Sequence, residues 1–333
     1  MKKVISFILP VVLYTTAFSQ TNQIIVTIID SEPTSGITSI QYEFSGTYLS
    51  YDISLEVRFE GDSYQPIPTA DLSGDLLNVA PGIRNIVWNG AASFPGQYSA
   101  QTRIRVTAIP NFTCGDQITD VEGHVYNTVL IGEQCWMKEN LNTGTRINYN
   151  QNQTNNSVIE KYCYWYSASE SNCDIYGGLY QWDEVMQYTT QEGTQGICPS
   201  GWHVPTDAEY TALTSYVSSQ PGYLCNSNSI LIGKALASNT LWNSSTYPCG
   251  VGNDLGTNNA TGFSGLPGGY LGLTSTDPPY PLYFSIGSDG IWWTSTANND
   301  ITSWGRELYY DRALVFRTIL NKAEGYSVRC LRD

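Results

Sequence analysis

Cysteine is missing from the whole N-terminal third of this 333-residue chain: the eight cysteines all lie from Cys114 onward. An early cysteine of the kind that carries a lipoprotein anchor is therefore absent. Basic side chains are scarce as well, 16 against 30 acidic ones for a net charge of -14, and between Tyr162 and Gly305 Lys234 is the lone basic residue. A surface that tracks phosphates cannot be built from that stretch, which excludes nucleic acid as a partner. Charged residues make up only 14% of the chain, too few for a coiled coil or an acidic disordered tail. Beyond the first twenty residues no apolar run approaches the roughly 18 residues of a membrane span. The two histidines, His124 and His203, are far apart and no C-x-x-C occurs, so zinc spacing is lacking. There is no G-x-S-x-G elbow, phosphate-binding loop or dinucleotide fingerprint. No cofactor is expected.

What is present begins with an export signature. Lys2 and Lys3 precede an apolar run from Val4 to Phe18, broken by Pro10 and ending in Ala17-Phe18-Ser19. This reads as a cleaved secretory signal over 1–19 with Gln20 as the new N-terminus, and so as a secreted or cell-surface protein without a membrane span after cleavage. In an oxidising compartment an even set of cysteines clustered in one part of a chain reads as a disulfide framework.

The cysteine map divides the sequence. Over 20–110 it is cysteine-free and alternates, as in Ile40-Tyr42-Phe44, Ile53-Leu55-Val57-Phe59 and Ile86-Val87-Trp88, with further runs at Ile24 to Ile29 and Tyr98 to Ala108. Period-2 runs separated by turns such as Gly61-Asp62-Ser63 and Pro95-Gly96 indicate half-buried antiparallel strands. Six or seven of them in about 90 residues give an all-β, immunoglobulin-like sandwich with Trp88 in its core. Over 111–333 the texture turns to Gly, Asn, Tyr and Trp. A helical patch follows Gly178 through Leu179, Trp182, Val185 and Met186. A better-marked helix follows Pro205, where Thr206 is an N-cap with Glu209 three residues on, and Ala208, Ala212, Leu213, Tyr216 and Val217 share a face. Strand-like runs at Thr128 to Ile131, Trp292 to Ser295, Trp304 to Tyr310, Leu314 to Ile319 and Tyr326 to Leu331 bracket these helices and a long irregular stretch over 220–290. The order predicts an α+β domain, loop-rich and disulfide-stapled.

Seven ordered blocks in this second part carry a resemblance. Asp120-Val121-Glu122-Gly123-His124-Val125-Tyr126 and Ile131-Gly132-Glu133-Gln134-Cys135-Trp136-Met137-Lys138-Glu139-Asn140-Leu141 open it. Tyr176-Gly177-Gly178-Leu179-Tyr180-Gln181-Trp182, Cys198-Pro199-Ser200-Gly201-Trp202-His203-Val204-Pro205-Thr206, Gly262-Phe263-Ser264-Gly265-Leu266-Pro267-Gly268-Gly269-Tyr270, Trp293-Thr294-Ser295-Thr296 and Ser327-Val328-Arg329-Cys330 continue it. Together they resemble the Fibrobacter succinogenes major paralogous domain, found in exported bacterial proteins, often behind sandwich modules, with a poorly defined biochemical role. A shorter likeness, His203-Val204-Pro205-Thr206-Asp207-Ala208-Glu209-Tyr210 with the closing Gly325-Tyr326-Ser327-Val328-Arg329, is similar to the formylglycine-generating-enzyme-like branch of the C-type lectin fold and implies a C-type-lectin-like fold. That enzyme uses a late pair of reactive cysteines, and here only Cys330 lies beyond Cys249, so its activity is not implied.

Eight cysteines leave roughly a hundred pairings. Loop length favours Cys114 with Cys135, Cys163 with Cys173 and Cys225 with Cys249, and Cys198 with Cys330 then ties the turn before the helix to the last strand. The chemical readings divide similarly. His203 with Asp207 and Glu209 has the composition of a base or a metal site, but on a turn leading into a capped helix it is expected to hydrogen-bond the backbone. Asp183-Glu184 and Asp207/Glu209 have the composition of hydrolytic carboxylate pairs, yet acids in a first helical turn favour the helix N-terminus. Asp254, Asn258, Asn259 and Asp289 offer oxygen ligands without calcium-loop spacing. Trp292, Trp293 and Trp304, beside Thr-Ser-Thr, read as core.

The sequence reading is therefore an exported, non-enzymatic binding or adhesion protein that recognises glycan or protein through loops of its second domain. Tyr270, Tyr280 and Tyr283, beside Gly268-Gly269 and Pro278-Pro279, are the expected ligand-binding rings on those loops. A structural component of a surface layer or filament is the second reading, and a secreted hydrolase the third.

Overall fold

The computed structural model describes residues 24–32, 35–97, 102–165, 170–274 and 281–333, with backbone only over 24–28 and 30–32. The expected leader over 1–19, Gln20 and Pro278-Pro279-Tyr280 lie outside those residues. The chain forms two compact units, Met1–Thr113 and Cys114–Asp333. The division falls at the first cysteine, three residues beyond the composition change at Pro110.

In the first unit, strands β1 (Ile24–Glu32), β2 (Ile37–Phe44), β5 (Leu72–Gly74) and β6 (Gly82–Asn89) form one antiparallel sheet in the order β1-β2-β6-β5. Strands β3 (Tyr51–Arg58), β4 (Gln65–Pro66) and β7 (Arg103–Pro110) form a second, in the order β4-β3-β7. Alternation decides what is inside, because successive side chains of a strand point to opposite faces. Ile40, Tyr42 and Phe44 of β2, Tyr51, Ile53, Leu55 and Val57 of β3, and Ile86 and Trp88 of β6 are all buried. Phe44 meets Tyr51 edge to face at 5.2 Å. Trp88 satisfies its indole N–H on Ser93, whose hydroxyl donates in turn to Asp71. A short helix, α1 (Gly90–Ser93), capped by Asn89, follows β6.

The second unit is mostly strand and loop. Strands β8 (Gln117–Thr119), β9 (Val125–Ile131), β10 (Gln134–Met137), β13 (Trp202–His203) and β19 (Leu331–Arg332) make a five-stranded sheet in the order β13-β19-β10-β9-β8. Strands β16 (Asp289–Ala297), β17 (Thr302–Tyr309) and β18 (Phe316–Asn321) make an antiparallel three-stranded sheet with β17 at its centre. Two small pairs complete the strands: β11 (Thr145–Arg146) with β12 (Glu160–Lys161), and β14 (Tyr270–Leu273) with β15 (Pro281–Phe284). The helices are α2 (Ser171–Tyr176), α3 (Trp182–Val185), α4 (Asp207–Ser219) and α5 (Gly233–Leu236).

Helix α4 starts where its capping box dictates: the Thr206 hydroxyl accepts from the Glu209 amide at 3.1 Å, and the Glu209 carboxylate accepts from the Thr206 amide at 2.8 Å. Its buried stripe is Tyr210, Leu213 and Val217, so the face is rotated from the one expected. Ala208, Ala212 and Tyr216 point outward. Tyr210 buries more apolar area than an alanine can, against Trp136 at 4.8 Å. With Phe263, Trp242 and Trp292 these residues form the main core.

One buried cation organises that core. Arg329 is fully buried, and its guanidinium donates to Asn140 Oδ1 at 2.7 Å and to the Phe263 carbonyl while lying over the Phe263 ring. Asn140 Oδ1 also accepts from the Trp292 indole at 2.8 Å, and Asn140 Nδ2 donates to the Tyr176 carbonyl at 2.8 Å. Gly177 follows, at φ +82°, where an added Cβ would stand 2.5 Å from the Asn140 Cβ. A side chain there would push this node apart.

The last segment departs from expectation. The run Tyr326 to Leu331 reads as one strand, yet only Leu331–Arg332 pairs as such. Upstream, each residue bonds a different neighbour: Tyr326 with Tyr180, Ser327 with Ile291 and Trp293, Val328 with Leu141, and Cys330 with Met137. The segment is threaded between elements and cannot form a ladder with one of them. The patch after Gly178 also shortens: Leu179 bridges to Tyr162, and only Trp182–Val185 is helical.

Four disulfides staple this unit: Cys114–Cys135, Cys163–Cys173, Cys225–Cys249 and, across 132 residues, Cys198–Cys330. These are the pairs that loop length favours. On the chain-entropy model the long closure stabilises most, on the order of 4–5 kcal/mol before strain. Such a framework fits an extracellular protein, and among the described residues no helix is long and apolar enough to cross a membrane.

Two expectations follow. Reducing agent should abolish the cooperative unfolding of the second unit and leave a transition of the first, checked by calorimetry on the full chain and on residues 21–113. A single loss of both transitions would contradict it. Trp293, fully buried with its indole N–H on the Tyr180 carbonyl at 2.7 Å, should cost about 3–5 kcal/mol when changed to Ala. An unaltered denaturation midpoint would contradict that.

Candidate functional site

The aromatic residues expected to bind ligand are largely engaged within the fold. Tyr270 and Tyr283 belong to the β14–β15 hairpin, paired Tyr270 with Phe284 and Leu271 with Tyr283. Gly269, at φ +64° where an added Cβ would clash with the Phe284 carbonyl oxygen, turns the chain into that hairpin where the sequence reads as loop. Tyr270 is half-buried and stacked on both faces, by Phe284 at 5.3 Å and Tyr326 at 5.4 Å. Tyr283 is buried against Tyr164 and Tyr149. Both rings stand on a paired hairpin, which corrects the loop assignment; Tyr280 lies outside the described residues. Trp292 and Trp293 are core, whereas Trp304 is only half-buried.

The acidic candidates separate. Asp207 turns away from His203 to two arginines, accepting from Arg306 at 2.6 Å and from Arg317 at 2.9 and 3.0 Å. His203 bonds side chains in place of the expected backbone, Nδ1 with Asp333 at 2.8 Å and Nε2 with Glu209 at 3.0 Å. Asn258 spends its amide N–H groups on the Ser238 and Val251 carbonyls, Asn259 pairs with Ser264, and the Lys234 ammonium reaches the carbonyls of Asn253 and Asp254. Asp289 stands on β16. Among the described residues no group of three or more His, Cys, Asp or Glu is placed to hold a metal ion.

A cleft of about 340 Å³ gathers polar groups from four separate segments. Gln181, Asp183 and Tyr188 come from the start and end of α3. Asp300 and Ile301 come from the β16–β17 turn, Asn321 and Lys322 from the end of β18, and Asn152 from a loop. Backbone bonds lock these segments together: the Trp182 amide donates to the Lys322 carbonyl, the Lys322 amide to the Ile301 carbonyl, and Gln181 Nε2 to the Ala323 carbonyl. Gln153 and Gln181 exchange amide contacts at 2.9 and 2.6 Å. Beneath, Glu184 is fully buried, with Oε1 accepting from the Glu160 amide and Oε2 from the Tyr188 hydroxyl. Burial raises its carboxyl above the ordinary range despite those bonds.

Other groups in the cleft are left open. The Lys322 ammonium lies 3.8 Å from the centre of the Trp182 ring; burial lowers its pKa, while Asp183 and Asp300 pull the other way. None of these three charged groups has a hydrogen bond or ion pair with the described residues. Of this site the sequence signalled Asp183-Glu184 and the block containing Gln181-Trp182. It gave no local sign of Asn152, Asp300, Asn321 or Lys322, which only the tertiary fold brings together.

The His203 clamp yields a pH expectation. Burial alone would lower the imidazole, but hydrogen bonds to Asp333 and Glu209 outweigh it and push its pKa up to about 9 from an ordinary 6.5. A folded-state pKa above the unfolded one contributes stability that is full below about 6.5 and lost as pH rises through about 9. His203→Gln should therefore cost on the order of 1 kcal/mol at pH 6, discounted because Asp333 is exposed, and almost nothing at pH 10. Denaturant titrations at both pH values check this; an equal cost at both would contradict it.

The model of the Fibrobacter succinogenes major domain family matches residues 129–332. No curated protein and no solved structure matches the chain. Six of the seven sequence blocks fall in this one matched stretch, the block Asp120–Tyr126 lying just ahead of it; the match spans more than half of the chain, and the protein belongs to the Fibrobacter succinogenes major domain family.

Proposed function

We propose that this is an exported, non-enzymatic binding protein, an immunoglobulin-like sandwich followed by a C-type-lectin-like domain, that recognises glycan in the cleft beside Lys322. The observation that carries this reading is the set of open polar groups there. Asp183 and Asp300 accept, Lys322 donates, and none is spent on a hydrogen bond or ion pair among the described residues, while Gln181 and Tyr188 are fixed by their own bonds. Ligand sites join a shaped concavity to a few convergent polar groups, and adjacent sugar hydroxyls need such a mixture of acceptors and donors. The volume lies at the small end of the 300–1,000 Å³ or so of ligand pockets, suited to one or two sugar rings.

Binding is favoured over hydrolysis by Glu184. It is the carboxyl in the cleft whose pKa is raised, as a general acid requires, but both its oxygens are committed and it lies under the floor. Export is supported by Lys2-Lys3 and the apolar run behind them, and by the disulfide framework.

The test is a screen of the purified mature chain on an array of plant and bacterial oligosaccharides, followed by affinity measurements on any sugar retained. Asp183→Asn and Asp300→Asn should each weaken binding about tenfold, the worth of one charge-assisted hydrogen bond, without shifting the melting temperature. A silent array, or a double variant that binds as the wild type does, would overturn the reading.

A further inference from the structure

Beside the cleft, the edge strand β18 presents Arg317, Ile319 and Asn321 on one exposed face. Asn321 lines the cleft itself. Ile319 pairs across the sheet with Trp304, and Arg317 with Arg306. The Arg317 guanidinium lies 3.3 Å from the centre of the Trp304 ring and gives its Nε–H to both oxygens of Asp207. It is thus held in place by a ring on one face and a carboxylate at one edge. Its two terminal NH2 groups have no partner among the described residues, and the side chain is 47% exposed. A fixed fork with free ends is the donor geometry that carboxylates and sulfates accept in pairs.

Local charge agrees. Arg306 and Arg317 share the single carboxylate of Asp207, so the group carries one surplus positive charge in a chain whose net charge is -14. Charges further off are screened within about 8–10 Å at physiological salt. At the other end Asp183 and Asp300 would repel an anion and accept hydroxyls. Four residues of strand separate Arg317 from Asn321, about 13 Å at ~3.3 Å per residue.

From this juxtaposition we propose that the ligand is an acidic oligosaccharide. Its neutral hydroxyls fill the cleft, its chain crosses the exposed apolar side chains of Ile301 and Ile319, and a carboxylate of a uronate unit docks on the free end of Arg317. This rests on the glycan reading of the cleft and adds the charge, minimum length and direction of the ligand.

The experiment is calorimetric binding of the full mature chain to trimers of galacturonate, mannuronate and guluronate, each beside its carboxyl-reduced neutral counterpart. At least one acidic trimer should bind about tenfold tighter than its reduced form. Arg317→Gln should erase that preference while leaving the neutral trimer's affinity as it was, and Asp183→Asn should weaken both. Arg317→Lys, which keeps the charge but not the fork, should restore only part of the preference, with melting temperatures showing that each variant is folded. Equal affinities for acidic and neutral forms, or a preference surviving in Arg317→Gln, would overturn this inference and leave the glycan reading standing. Neutral sugars retained with every acidic trimer refused would do the same. Silence toward both sets, with a silent array, would overturn both.

Discussion

The second unit depends on a buried charge without a carboxylate partner in its hydrogen bonds. Arg329 is sealed from solvent, and burial lowers its pKa to about 10, which leaves it protonated at neutral pH. Such a cation costs several kcal/mol unless its donors are met. Its terminal NH2 groups are met by Asn140 and by the backbone carbonyls of Phe263 and Ser264, with the Phe263 and Trp292 rings close by, while its Nε–H has no hydrogen-bond partner among the described residues. Those acceptors come from two places, each more than 60 residues from Arg329 in sequence, so satisfying one side chain fixes two loops against the terminal segment. Asn140 extends the demand to Tyr176, Ser327 and Trp292. The sequence blocks thus have a physical content: their residues Asn140, Tyr176-Gly177, Phe263-Ser264 and Ser327-Arg329 are, with Trp292, contact points of one network.

The cleft inherits its rigidity from that network. Tyr180, next to Gln181, exchanges backbone bonds with Tyr326, two residues from Val328 and three from Arg329. Trp182, over which Lys322 lies, spends its indole N–H on Thr294 of β16 at 2.9 Å. Cys198–Cys330 anchors the other end of the same terminal segment. A domain this rich in loops has few ladders to hold it, so a threaded C-terminal segment, four disulfides and the hydrogen-bonded node around Arg329 and Asn140 replace them. Polar groups that this frame does not use are then the ones free for a ligand, which is why the open ends of Asp183, Asp300, Lys322 and Arg317 carry the functional reading.

Legibility followed the range of each signal. Strands whose pattern is local were visible: the alternation of Ile40-Tyr42-Phe44 and Ile53-Leu55-Val57 gives β2 and β3 directly, and Thr206 with Glu209 marks the start of α4. The short cysteine loops were readable for the same reason. Where packing decides, the pattern misleads. Gly269 and the prolines ahead of Leu282 read as irregular loop, yet the glycine is what admits the tight entry to the β14–β15 hairpin. Trp304 shares its Thr-Ser neighbourhood with Trp292 and Trp293, but on the central strand β17 it is only half-buried, with the Arg317 guanidinium over its ring. The cleft was legible only through Asp183-Glu184 and the block ending in Gln181-Trp182, because its other members are ordinary residues in three further segments that carry no motif of their own.

The claim on which the rest leans is that Arg329 and Asn140 act as one unit. A double-mutant cycle of Arg329→Met and Asn140→Leu, read by denaturant unfolding of the second unit with its disulfides intact, measures it directly. Each single change leaves buried polar groups without partners and is expected to cost about 3–5 kcal/mol, while the double change is expected to cost about 2–3 kcal/mol less than the sum of the two, which is the coupling. Costs that simply add would contradict the account, and would mean that the loops of this unit are placed by something other than the demand of the Arg329 guanidinium.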